Sequence, residues 1–292
     1  MRVNNPPAWD TVYLSTDYGD ALKFNTMRVK GEVRARALIL HGLTGCSYAP
    51  PTPQVAEILS EYGVECWALN MRGADRSVPE VPRLYHAGCT EDLEAVFQQL
   101  PQDRPWSFIG YSMGANILLK WLGENPEREF PGGKALAVSC PFDIGEITVN
   151  LEKTPMTRFY RYFLVHQLKS LVRNLSKKYP DVLPKERIDS CRTFREFDES
   201  ITAPLHGFLS AEDYWSQCSS EQFLPRITLS TTLLHAMDDP FQPNPPTWIE
   251  SPHIRWELYQ RGGHLGFVEG WGKDWLAHKI VDFVLSPANK AH

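Results

Sequence analysis

The stretch "FIGYSMGANI", Phe108–Ile117, sets a β-branched and aromatic run against a helix-forming one, with Ser112 between two glycines. Gly110-x-Ser112-x-Gly114 alone decides little, because at ordinary glycine and serine frequencies chance supplies roughly one such match in ten chains of this length. Its setting decides more. Trp106–Tyr111 reads as a buried strand and Met113–Leu122 as a helix, so the serine falls at a strand-to-helix turn. There a serine takes backbone angles that only small neighbours tolerate, and its hydroxyl is lifted clear of the sheet, as a nucleophile requires. The plainer reading is a glycine-rich turn that happens to hold a small residue.

Outward from this turn the pattern repeats. "RALILHG", "VECWALNMRG", "WSFIGYS" and "KALAVSC" read as apolar strands, separated by the helical segments "TPQVAEILSEYG", "TEDLEAVFQQL" and "GANILLKWLG". Two short β-prone pieces, Thr11–Leu14 and Leu22–Thr26, precede them. Continuous apolar strands alternating with helices of roughly ten residues predict an α/β fold, a mostly parallel central sheet with helices on both faces. The alternation stops after Cys140 and resumes with "TTLLHAM", "IRWELYQ" and the amphipathic "WGKDWLAHKIVDFVL". The expected organisation is a core of residues 1–142 and 226–292 interrupted by a mainly helical cap, residues 143–225. "DDPFQPNPPTW" reads as a proline-stiffened loop, and no internal repeat or low-complexity segment is found.

Composition bounds the function. The 292 residues are 42% hydrophobic and 22% charged, enough to bury a full core. A net charge of −5, with no basic tail, gives no footprint for nucleic acid. The N-terminal "MRVNNPPAWD" lacks the apolar core of a secretory signal, and the expected location is the cytoplasm. Six cysteines without a C-x-x-C pair predict neither a zinc site nor a disulfide framework, and no cofactor is called for. Within the cap, Leu151–Arg187 holds nine Lys or Arg against three acids, an excess of six positive charges. Interleaved Phe159, Tyr160, Phe163, Leu164, Leu168 and Leu171 give an apolar face. Such a segment is either a solvated helix packed on the core or a lid. As a lid, it would use Phe159 and Phe163 to bind an acyl chain and its basic face to touch anionic lipid at a membrane surface.

A serine hydroxyl needs a base to take its proton and a carboxylate to orient that base. "RGGHLGF" places His264 in a glycine-rich loop before the last helix, a fit site for a mobile imidazole. His41 begins a turn, His235 lies in a strand, and His86 and His206 read as structural. The carboxylate is sought after the preceding strand, where "AMDDPFQP" offers Asp239, with Asp238 as the alternative and Asp143 as a third choice. The two backbone N–H donors for a tetrahedral oxyanion fall to Met113, next to the serine, and to Leu43 in "HGLTGCS". Arg72, ending a strand, is expected to pair with Asp92 or Asp75, or else to meet a substrate anion. The order serine, acid, histidine is that of the α/β-hydrolase fold.

These residues also carry a family resemblance. "HGLTG", "NMRGADRS", "LYHAGCTEDL", "GYSMGANILLKWLGE", "RTFREFDESITAPLHGF", "AMDDPFQP" and "GGHLGF" resemble the YheT-like group of α/β hydrolases over roughly residues 35 to 285. The resemblance implies hydrolysis of carboxylic esters, with medium-chain acyl esters and phospholipids among the substrates of relatives. It also implies a triad of Ser112, an aspartate of "DDPF" and His264. Acyl transfer, thioester hydrolysis or phospholipase action could use the same triad, and a non-catalytic hydrolase-like binding protein is the reading from another class.

Overall fold

A computed structural model describes residues 9–16, 20–29, 31–267 and 275–287. Eight strands form one sheet: β1 (Asp10–Ser15), β2 (Ala21–Met27), β3 (Ala35–Leu40), β4 (Val64–Asn70), β5 (Trp106–Tyr111), β6 (Lys134–Val138), β7 (Thr231–Ala236) and β8 (Ile254–Tyr259). Their order is β1-β2-β4-β3-β5-β6-β7-β8. β1 and β2 join antiparallel at one edge, and every pair from β4 to β8 is parallel. This is the α/β-hydrolase fold.

Both faces of the central parallel strands β5, β6 and β7 are covered, which is why these read as mostly apolar runs. Leu38, Leu40 and Phe108 point to one face, and Ala37, Ile39 and Ile109 to the other. The first face is packed by α2 (Thr90–Phe97) and α3 (Met113–Glu124), the second by α1 (Thr52–Glu61) and α10 (Trp275–Leu285). α1 buries Thr52, Val55, Ala56 and Leu59, an i, i+3, i+4, i+7 stripe. α3 differs, since all of it from Met113 to Gly123 is buried between the sheet and a 3₁₀ turn at Glu221–Arg226. α2 starts at Thr90, and its N-cap position is Cys89. Residues 271–274 of the expected last helix lie outside the described residues. All six cysteines are free.

Between β6 and β7 the described chain is helical: α4 (Ile144–Asn150), α5 (Pro155–Lys178), α6 (Lys185–Ser190), α7 (Phe194–Phe197), a π-helical turn at Asp198–Thr202, α8 (Ala203–His206) and α9 (Ala211–Cys218). The first part has a core of its own, built from Val172, Leu175, Leu183, Ile188, Phe197 and Ile201, with Leu84 of the main body. The last part does not. Ala211, Tyr214, Trp215, Cys218 and Leu224 join the cluster beneath the sheet, so the inserted segment is fused to the body at its C-terminal end. Among the described residues, no helix is long and apolar enough to cross a membrane.

Candidate active site

Ser112 sits between β5 and α3 with φ 50° and ψ −120°, a strained conformation for a residue bearing a Cβ. The two flanking glycines make the turn geometrically possible. A Cβ at Gly110 would lie 2.6 Å from the Ala115 Cα, and one at Gly114 would lie 2.5 Å from the carbonyl oxygens of Leu40 and His41. The turn is pinned by the Ser112 N–H donating to the Val138 carbonyl at 2.9 Å and by the Ser112 carbonyl accepting from Ala115 and Asn116. Side chain and backbone are thus held at the C-terminal edge of the parallel strands.

His264 reaches this serine from a loop 152 residues further on. Its Nε2 lies 2.8 Å from the Ser112 Oγ, and its Nδ1 lies 2.8 Å from Asp239 Oδ2. An ionised carboxylate only accepts, so Nδ1 carries the hydrogen and Nε2 offers a lone pair to the serine O–H. Asp239 is 1% exposed, and its other oxygen accepts the Phe241 N–H at 2.9 Å. The Phe241 ring packs against the imidazole at a tilt of 52°, centroids 4.4 Å apart. The neighbouring Asp238 turns the other way: its Oδ1 accepts the N–H groups of Gly262 and Gly263 at 2.8 and 2.7 Å, bracing the loop that carries His264. Asp143 caps α4 by accepting the Glu146 N–H and has no recorded hydrogen bond to His264.

Leu43 and Met113 line the same cavity as Ser112 and His264. Among the described residues neither of their backbone N–H groups is given to a protein acceptor, so both remain available to a ligand. The loop holding Leu43 is fixed on each side. His41 donates from Nδ1 to the Gly42 carbonyl at 2.8 Å and accepts the Met71 N–H at Nε2, while Tyr85 Oη accepts the Thr44 N–H. Burial lowers the His41 pKa to about 4, so it stays neutral and structural.

The cavity holds about 300 Å³, and its apolar wall includes Ile147, Leu151, Leu164, Leu168 and Phe241. Phe159 and Phe163, expected to bind an acyl chain, stand outside it: they are 67% and 53% exposed, and the inward positions of α5 are Leu164 and Leu168. Much of the basic charge expected on an outer face is engaged within the protein. Lys169 donates to the carbonyls of Asp189 and Cys191, Arg173 pairs with Asp189, Arg161 with Glu152, and Lys178 with Glu80. Arg72 is buried between Asp92, at 2.6 Å, and Asp20; Asp75 is taken instead by Lys23. His235 is buried with Nε2 against the Gln242 carbonyl. Asp238 as a brace and Phe241 as a ring neighbour of the imidazole have no local sequence signal, because each acts across some 23 to 25 residues of chain that include β8.

The chain matches, over residues 38–270, the family described as alpha/beta hydrolase fold. It is 31% identical to the Escherichia coli (strain K12) protein YheT, named as an esterase, over 97% of this chain and 86% of that protein. It is 33% identical to the monoacylglycerol lipase of Saccharomyces cerevisiae, covering 87% of this chain and 59% of the yeast protein. The chain therefore spans less than two thirds of that relative. Among solved structures, the mouse alpha/beta hydrolase domain-containing protein 10 superposes with a TM-score of 0.59 at 15% identity, covering 94% of this chain and 98% of the mouse chain.

Proposed function

The chain belongs to the YheT-like group of the α/β hydrolases, an esterase- and lipase-type family, and from that premise we propose that it cleaves carboxylic esters of short- to medium-chain acyl groups through an acyl-enzyme on Ser112. The observation that carries the reading is the unbroken hydrogen-bonded chain from Asp239 through His264 to Ser112 on a strained turn. In the first half-reaction the Ser112 Oγ bonds to the carbonyl carbon as its proton passes to His264 Nε2. The oxyanion is received by the N–H groups of Leu43 and Met113. Collapse breaks the bond to the alcohol, which leaves with the proton from His264. Water then repeats the steps and releases the acid. Asp239 keeps the imidazole in the needed tautomer and stabilises its charged form.

The mostly apolar wall suits an acyl chain, and the yeast relative named a monoacylglycerol lipase supports a lipid-derived ester over a small polar one. Exposed Met156, Phe159 and Phe163, with Lys153 and Arg158 beside them, suit contact with a lipid surface from which such an ester would be drawn. The test is Ser112→Ala with p-nitrophenyl esters. The expected loss in kcat is at least about 10³, with the fold retained. A variant that still turns over these esters at the parental rate would remove Ser112 from the reaction.

A further inference from the structure

The cavity wall is not uniformly apolar. Asp198 in the π-helical turn, Thr202 at its end, Tyr214 of α9 and His86 all line the cavity that holds Ser112 and His264. Asp198 is 7% exposed, and among the described residues no cation is paired with it. Its carboxylate accepts one hydrogen bond per oxygen, from Thr202 Oγ1 at 2.7 Å and from Trp215 Nε1 at 2.8 Å. A carboxylate has about four acceptor sites, so half of its capacity is unused by these partners. Two donor hydrogens stand nearby in the same wall. Tyr214 Oη accepts the Ala87 N–H at 2.9 Å, and its own hydrogen has no recorded acceptor among the described residues. His86 Nδ1 accepts the Gly88 N–H at 3.1 Å, which places the ring hydrogen on Nε2.

An acyl chain gains nothing from such a patch. A buried carboxylate without a counter-charge is costly, and an aliphatic residue would serve a hydrocarbon better. The π-helical turn is itself a departure from regular helix of the sort that accompanies functional sites. We propose that Asp198, Tyr214 and His86 form a subsite for a hydroxyl-bearing alcohol portion of the ester, a neutral polyol such as glycerol. Asp198 accepts a substrate O–H, and Tyr214 and His86 donate to substrate oxygens. Burial raises the Asp198 pKa to about 6, so at neutral pH it is charged and disfavours a phosphorylated alcohol at the same place.

This inference rests on the ester-hydrolase reading, and the experiment separates the two. The kcat/KM values of parent, Asp198→Asn and Tyr214→Phe are compared on glyceryl monodecanoate and ethyl decanoate. The ratio of glyceryl to ethyl ester is expected to fall at least about tenfold in Asp198→Asn and by a smaller factor in Tyr214→Phe. Equal loss on both esters, or an unchanged ratio, overturns the subsite while leaving the hydrolase reading intact. Absence of turnover of either ester by the parent overturns that reading instead. Binding is then measured by calorimetry on Ser112→Ala protein with 1-O-decylglycerol against 1-decanol, neither of which is an ester. The glyceryl ether is expected to bind more tightly, and equal affinity overturns the subsite independently of catalysis. Should Asp198→Asn not fold, Tyr214→Phe reads the same ratio and decides alone.

Discussion

Two adjacent carboxylates, Asp238 and Asp239, hold different parts of one loop. Asp239 is buried against His264 Nδ1, and Asp238 receives two backbone N–H groups of the segment that presents the same histidine. Consecutive residues leaving a strand point in opposite directions, so one of the pair faces the serine and the other faces the loop. Sequence gives the pair but not which member turns which way. Asp239→Asn presents the wrong partner to the imidazole, and kcat is expected to fall about 10⁴-fold with stability little changed. Asp238→Asn keeps the accepting oxygen and is expected to be mild. Asp238→Ala loses both loop contacts, about 1–3 kcal/mol of positioning, and is expected to lower kcat roughly tenfold or more. Steady-state kinetics on one short ester checks all three, and a deep loss in Asp238→Asn with Asp239→Asn nearly active would reverse the two roles.

The strands and core helices are the elements most legible from sequence. β5 to β7 are buried along their whole length and follow the apolar runs, because a parallel strand covered on both faces is mostly apolar, whereas β8, at the sheet edge, carries Arg255 and Glu257 and has no fully buried residue. The elbow is legible for a different reason, since Gly110 and Gly114 stand where any side chain would strike backbone. α5 is the element where pattern misleads. Phe159 and Phe163 stand about 140° around the helix from Leu164 and Leu168, so the apolar residues wrap two faces, and only packing decides which pair is inside. Leu168→Phe fills the cavity and is expected to shift preference toward shorter acyl chains, by about tenfold or more per step where the chain no longer fits. Phe159→Ser with Phe163→Ser is expected to leave that profile unchanged and to reduce sedimentation with phospholipid vesicles. A chain-length shift in the Phe double variant, measured on a graded series of esters, would place these rings in the substrate path. The polar wall at Asp198 was illegible for a reason of scale, because it assembles residues 86, 198, 202 and 214 that only the folded inserted segment brings together.

Across the whole molecule, buried titratable groups set the response to acid. Burial lowers the pKa of His41 and His206 to about 4 and of His86 well below its ordinary value, with the neighbouring His206 adding to the effect on His86. His86 and His206 are in ring contact, centroids 4.3 Å apart. Each histidine binds its proton more readily when unfolded. The stability it contributes is therefore fully present above about 6.5 and is lost as pH falls toward about 4. Asp198 has the opposite sign: its raised pKa favours the folded state at low pH, a contribution lost as pH rises through about 6. Burial also lowers the His235 pKa and raises that of Glu221, so four histidines stand against two carboxylates, and the urea midpoint is expected to fall on acidification from about 6.5 to 4. The fall is expected to be shallower in His206→Gln and steeper in Asp198→Asn. A flat response over that range would mean that the histidines take up protons as readily in the folded protein as in the unfolded chain.

The central claim is that Ser112, and no other group, takes the acyl group. It is tested most directly by reacting the protein with a fluorophosphonate and following residual ester turnover against the mass of the intact chain, with the adduct then located by peptide sequencing. One adduct per chain is expected, on the peptide containing Ser112, with turnover lost in proportion to labelling and neither effect seen in Ser112→Ala. Full turnover in a stoichiometrically labelled chain, or an adduct that persists in Ser112→Ala, would contradict the account.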